Sequence, residues 1–216
     1  MTRSARLTVV LVLNLVLVVG LVVVGFSAHS LGVLAEGADY LADAAAIGVS
    51  LLAIWLSKRP PTPKRPHGYP RATAFAALVN GGWLLILSLV VIAAGIDRLA
   101  TSTHEVQGLP VLIVSGIAAV VMFGGAVVLD GDADDDEDDA NGNLNMRAVL
   151  LDTVADAAAA AGVAITGAII LAADGLYWLD PAVALAISAV VAYHAVRLLR
   201  RVTAALSTLD PNPSRA

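Results

Sequence analysis

The chain has 216 residues, 58% of them hydrophobic, with 13 Lys and Arg against 18 Asp and Glu and no cysteine. That composition excludes an ordinary soluble domain, and the absence of thiols excludes disulfide staples and thiolate metal ligands. The net charge of −5 misleads, because eight acids crowd into Asp130–Asp139 and leave 13 basic against 10 acidic residues elsewhere. No nucleic-acid partner is expected.

A bilayer core needs about 20 apolar residues per helix. Six runs meet that need, at about 7–27, 31–56, 72–96, 109–129, 146–173 and 178–198, and little lies outside them. The chain therefore reads as one all-α integral membrane domain, a bundle of six transmembrane helices in the cell (plasma) membrane. Positive charge in short loops stays cytoplasmic. Alternate loops and the two ends hold 12 of the 13 basic residues, and Arg98 alone falls on the other side. Both termini are accordingly expected in the cytoplasm.

The first run follows Thr2-Arg3-Ser4-Ala5-Arg6. Its apolar core is longer than the roughly 7–15 residues of a signal peptide, so it is expected to remain as helix 1. Asn14 within it reads as interhelical glue. His29 and Ser30 form a short external turn, with no role assigned to His29.

Helix 2 carries Glu36, Asp39 and Asp43. The two aspartates are four residues apart, so on a helix they share one face. An ionised carboxylate in mid-bilayer costs roughly 2.5–3.5 kcal/mol on insertion scales, so a cation or protons must neutralise such a pair. Glu36, nearer the outer surface, reads either as a vestibule charge or as an interfacial residue. The following loop, Lys58 to Arg71, holds five prolines and cannot be helical. Its His67 is a weak candidate for cation capture at the cytoplasmic mouth.

Helix 3 has a small-residue patch at Asn80-Gly81-Gly82, and Asp97, Arg98, His104 and Glu105 make a polar external loop. Helix 4 has no ionisable residue. The run Asp130–Asp139, within a loop at 130–143, is expected to be disordered by self-repulsion. It serves either as a solvated linker or as a low-affinity trap for cations. Helix 5 carries a second pair, Asp152 and Asp156, followed by small residues. Counted from the cytoplasmic ends at about 1.5 Å per residue, Asp43 and Asp156 come to similar depths. Tyr177, Trp178 and Asp180-Pro181 mark the turn into helix 6, which ends in an arginine-rich tail.

Two helices that each offer carboxylates at i and i+4 can enclose one divalent ion with four oxygen ligands. All-oxygen ligation suits Mg, Mn or Ca and tolerates Fe(II) and Zn. Without metal the cluster holds protons, and metal binding expels them. That exchange is the elementary step of a metal/proton antiporter. The bland alternative is a lock of protonated aspartates between helices.

These stretches together resemble the cation diffusion facilitators. Ser30-Leu31-Gly32-Val33-Leu34-Ala35-Glu36-Gly37-Ala38-Asp39-Tyr40-Leu41-Ala42-Asp43 is similar to the family's second helix. His67-Gly68-Tyr69-Pro70-Arg71-Ala72 is similar to the start of its third. Asn145-Met146-Arg147 through Asp156 is similar to its fifth, and Leu179-Asp180-Pro181 to its turn into the sixth. The resemblance implies divalent metal efflux in exchange for protons, usually by a homodimer, with Asp39, Asp43, Asp152 and Asp156 as metal ligands. No cofactor and no enzymatic activity are implied. The transported ion is expected to be Zn or Mn, with Fe(II), Co and Cd as further candidates. Zinc exporters commonly have His where this chain has Asp152, which favours a harder ion. Pro70 replaces a usual His, Thr73 a usual Glu, and Glu36 stands where Asp is usual. Only about 15 residues follow helix 6. The family's C-terminal soluble domain is therefore expected to be missing, and any homodimer to use the membrane helices.

Other classes remain open on sequence alone. One is a channel or a non-transporting accessory subunit. Another is an intramembrane Mg-dependent prenyltransferase, which would need cationic side chains beside its aspartates where this chain has further acids.

Overall fold

The computed structural model describes residues 3–57, 70–101, 104–135 and 140–208. These form six helices and no strand: α1 (Arg3–Ser27), α2 (Leu31–Ser57), α3 (Pro70–Thr101), α4 (Gly108–Asp135), α5 (Ala140–Ala173) and α6 (Leu179–Thr208). Four segments among the described residues are long and apolar enough to cross a membrane: Ala77–Thr101, Gly108–Val127, Thr153–Ala173 and Leu179–Ala204. Asn14–Ser27 is a shorter apolar segment. The all-helical class expected from the apolar runs is what the backbone adopts.

Most helices outrun their apolar runs. Once a helix is nucleated, each further residue adds a hydrogen bond at little cost, so the ladder continues into polar sequence. Asp97 and Arg98 consequently lie in the last turns of α3, not in the external loop expected for them. Residues 130–135 likewise continue α4, and α5 begins at Ala140. The loop expected to be disordered at 130–143 is thus helical at both ends. Asp136–Asp139 lie outside the described residues, as do most of the proline-rich loop, including His67, and the chain beyond residue 208.

Many large apolar side chains point outward, the reverse of a water-soluble bundle, while alanines make up much of the buried face. Val12, Val16, Val19 and Val23 form an exposed ridge on α1, and Ile113, Ile117 and Val120 another on α4. In hydrocarbon, packing gains come from close approach of small residues, not from hiding apolar surface.

The chain divides into two compact units. The first comprises Met1–Val19, Gly37–Ala93 and Ser188–Ala216. Within it α3 and α6 approach closely at Gly81, where an added Cβ would lie 3.1 Å from Leu199 Cδ2. Asn14 is buried. Ser88 satisfies its own hydroxyl by donating to the Leu84 carbonyl at 2.9 Å.

The second unit comprises Gly20–Glu36 and Ala94–Ile187. Within it α4 packs closely against α5. Val111, Ser115, Ala118, Met122 and Ala126 make the buried stripe of α4, and Ala157, Ala160, Ala164 and Gly167 that of α5. At Gly108 and Gly167 the two backbones nearly touch. A Cβ on Gly108 would come 2.8 Å from the Leu171 nitrogen, and one on Gly167 would come 2.7 Å from the Leu112 nitrogen. Neither helix could carry a side chain there without moving.

The α1–α2 turn belongs to the same unit. His29 adopts φ 58°, the left-handed conformation that ends many helices, usually on glycine. The Ser30 N–H then donates to the Gly25 carbonyl at 3.0 Å and the His29 N–H to Phe26 at 3.4 Å, the paired bonds of a Schellman ending.

Candidate functional site

The start of α2 is held by a carboxylate from elsewhere in the chain. The first N–H groups of any helix lack intrahelical partners and carry a partial positive charge. Here Asp180, in the first turn of α6, supplies the acceptor. Leu31 donates its N–H to Oδ2 at 2.7 Å and Gly32 to Oδ1 at 3.1 Å. The Ser30 hydroxyl donates to Oδ1 at 2.5 Å and accepts the Val33 N–H at 3.1 Å. Arg98 of α3 completes the node, with Nη1 3.7 Å from Asp180 Oδ2 and donating to the His29 carbonyl at 2.5 Å. Asp180 is 1% exposed, so its charge is balanced by donors and a guanidinium instead of by water.

One turn into α2, Glu36 is equally buried. Its Oε2 accepts a hydrogen bond from the Ser115 hydroxyl of α4 at 2.6 Å. Neither sequence reading of Glu36, vestibule or interface, included this partner. Ser115 could have been suspected as the one hydroxyl in the stripe that α4 buries. Asp180 was legible only as the acid of an Asp-Pro pair opening a helix, and Arg98 only as the basic residue outside the charge pattern.

The four expected metal ligands sit on unbroken helix: Asp39 and Asp43 on α2, Asp152 and Asp156 on α5. Asp39, Asp43 and Asp156 are half-buried, and the side chain of Asp152 lies outside those described. Asp39 and Asp43 belong to the first unit, and Asp152 and Asp156 to the second. Among the described residues no three His, Asp or Glu side chains gather into a metal site.

Outside the spans, Tyr177 faces an acidic rim. Burial, with Glu105 and Asp174 nearby, holds its phenol above the ordinary range, so it remains a neutral hydroxyl at physiological pH.

A helical protein with lipid-facing apolar ridges and acids within its helices belongs to the class of polytopic membrane proteins. The chain matches the family model described as the cation efflux transmembrane domain over residues 7–207. It is therefore a member of the cation efflux family, the cation diffusion facilitators, a family of transporters. It is a multi-pass membrane protein of the plasma membrane.

Among its relatives is the zinc transporter ZitB of Yersinia pseudotuberculosis, 30% identical over 201 residues, covering 92% of this chain and 61% of the relative. The human proton-coupled zinc antiporter SLC30A2 is 28% identical over 201 residues, covering 91% and 54%. A cadmium, cobalt and zinc/H(+)-K(+) antiporter of Bacillus velezensis is 26% identical over 196 residues, covering 87% and 60%. The chain thus spans 54–61% of the length of these relatives.

Proposed function

We propose that this chain forms the membrane domain of a divalent metal cation exporter of the zinc class, which exchanges metal for protons at Asp39, Asp43, Asp152 and Asp156. One observation carries the reading. Both α2 and α5 stay helical across a carboxylate pair at i and i+4, in a domain that the cation efflux model matches over residues 7–207. Each pair therefore shares a helix face, and two such faces supply four hard oxygen ligands to one ion. Metal arrival displaces the protons that otherwise neutralise the acids.

The names of the relatives carry zinc, cadmium and cobalt, and zinc is the first expectation here. The all-carboxylate ligand set extends the range toward manganese. The same proposal places six spans across the bilayer with both termini in the cytoplasm, because 12 of 13 basic residues then lie on the inner side. It includes a homodimer formed through membrane helices.

Flux into proteoliposomes tests it. The wild-type protein is expected to drive zinc uptake that depends on an opposing pH gradient. Uptake indifferent to that gradient would show a channel, and bound metal without flux would show an accessory role.

A further inference from the structure

A groove of about 770 Å³ runs along the first unit between α3 and α6. Leu85 and Leu89 of α3 face Ala189, Ala192, Tyr193 and Val196 of α6 across its apolar part. Past Val196 the same face of α6 turns cationic, with Arg197, Arg200 and Arg201 lining the groove and all three exposed. These positions recur every three or four residues, so they form one continuous stripe. From Ala189 to Arg201 the stripe runs about 18 Å at about 1.5 Å per residue. The groove therefore has the polarity of a single membrane lipid, apolar for about 10 Å from Ala189 to Val196 and cationic at its end.

We propose that this groove binds one anionic phospholipid. An acyl chain lies along Leu85, Leu89 and Ala192, and the phosphate is held by Arg197, Arg200 and Arg201. Charge complementarity selects this occupant. Guanidinium groups bind phosphate through paired N–H donors, and a basic pocket between helices at the membrane surface fits an anionic headgroup. Small residues at Ala189 and Ala192 leave the volume that an acyl chain fills. Tyr193 stands one turn before Arg197, at the level where apolar side chains give way to cationic ones. Aromatic residues with a polar tip favour that boundary. Positive charge on the inner side explains why arginines occur at this end of α6, but not why three of them close an apolar groove. The leaflet concerned is the inner one if the proposed topology holds, whereas the binding itself needs neither that topology nor metal transport.

The test is lipid retention by the purified protein in mild detergent, read by native mass spectrometry after mixing with equal amounts of phosphatidylglycerol and phosphatidylcholine. Wild type is expected to retain phosphatidylglycerol preferentially. Each arginine near an anionic surface is worth about a factor of five, so Arg200→Gln should lower retention by about that factor. Ala192→Trp, which fills the apolar arm, should lower retention of the lipid while leaving all three arginines in place. Zinc flux and thermal stability in detergent report whether each variant is folded. Equal retention of the two lipids overturns the proposal, as does unchanged phosphatidylglycerol retention in both variants. So does an Ala192→Trp protein that loses a dimer but keeps its lipid, because a second copy would then be what covers the groove.

Discussion

Asp180 and Ser30 lie 150 positions apart in sequence, yet the serine hydroxyl donates to the aspartate Oδ1 at 2.5 Å with both side chains buried. This bond, with those from Leu31 and Gly32, fixes the point where α2 begins. Truncating the acceptor strands several buried donors at once. A buried donor left unsatisfied costs about 1–3 kcal/mol. Asp180→Ala is therefore expected to lower thermal stability in detergent markedly, by about 3 kcal/mol when losses of this kind combine. Asp180→Asn, which keeps one carbonyl acceptor, should lose less. Equal melting of wild type and Asp180→Ala would show that the node adds nothing to stability.

Gly167 meets α4 at backbone distance. An added Cβ would lie 2.7 Å from the Leu112 nitrogen and 2.8 Å from Val111 Cγ1. Overpacking of this kind typically costs about 1–3 kcal/mol. Gly167→Val should destabilise the protein more than Gly116→Val, where an added Cβ meets nothing within 4 Å. Parallel thermal denaturation in one detergent decides the order.

Asp156 is the carboxylate whose loss best tests the proposed metal site. Asp156→Ala is expected to abolish metal transport while the protein still inserts and stays monodisperse on size exclusion. A variant that transports zinc at the wild-type rate would end the four-aspartate reading.

The acidic run is expected to concentrate cations without taking part in the transport step. Four of its eight acids, Asp130, Asp132, Asp134 and Asp135, lie on the end of α4. Negative charge at a helix C-terminus opposes the helix dipole, so removing these acids is not expected to weaken that helix end. Replacing all eight acids with Asn and Gln should raise the zinc concentration for half-maximal transport a few-fold, through lost electrostatic attraction. The maximal rate should not change. Inactivity at saturating zinc would reveal a structural or gating role instead.

If Asp152 is a ligand of the proposed site, it is expected to set selectivity. Asp152→His exchanges an anionic oxygen for a neutral, softer nitrogen, which suits zinc better than manganese. Tetrahedral zinc sites readily mix His with carboxylates. The zinc-to-manganese preference should therefore rise, as measured by competition in proteoliposomes. An unchanged ratio in an active variant would mean that Asp152 does not touch the metal.

The helices were legible because apolar runs of membrane length have few other readings, and the acids on α2 and α5 stood out against them. Helix ends were not legible, since hydropathy marks the lipid-facing stretch while hydrogen bonding carries α4 on to Asp135. The left-handed His29 could not be foreseen, because glycine is the usual residue there. Nor could the Ser115–Glu36 bond, which joins residues 79 apart and leaves no periodic trace. Charge counting marked Arg98 as an exception without giving the reason. The structure supplies it: the guanidinium is spent on Asp180 and the carbonyl of His29.

The near-contact of Gly108 with Gly167 also bears on the order in which the protein is made. α4 and α5 are consecutive in the chain, separated only by residues 136–139, so their pairing starts from those adjoining ends and reaches Gly108 and Gly167 last. Contacts of short separation close fastest. The ribosome also releases α4 before α5 and both before α6, and compact pieces of a nascent chain form in that order. The α4–α5 pair can thus zip together as a hairpin while α6 is still being synthesised. The bonds of Asp180 to Ser30, Leu31 and Gly32 must wait for α6 to emerge. The N-terminus of α2 is thereby among the last parts of the domain to be fastened.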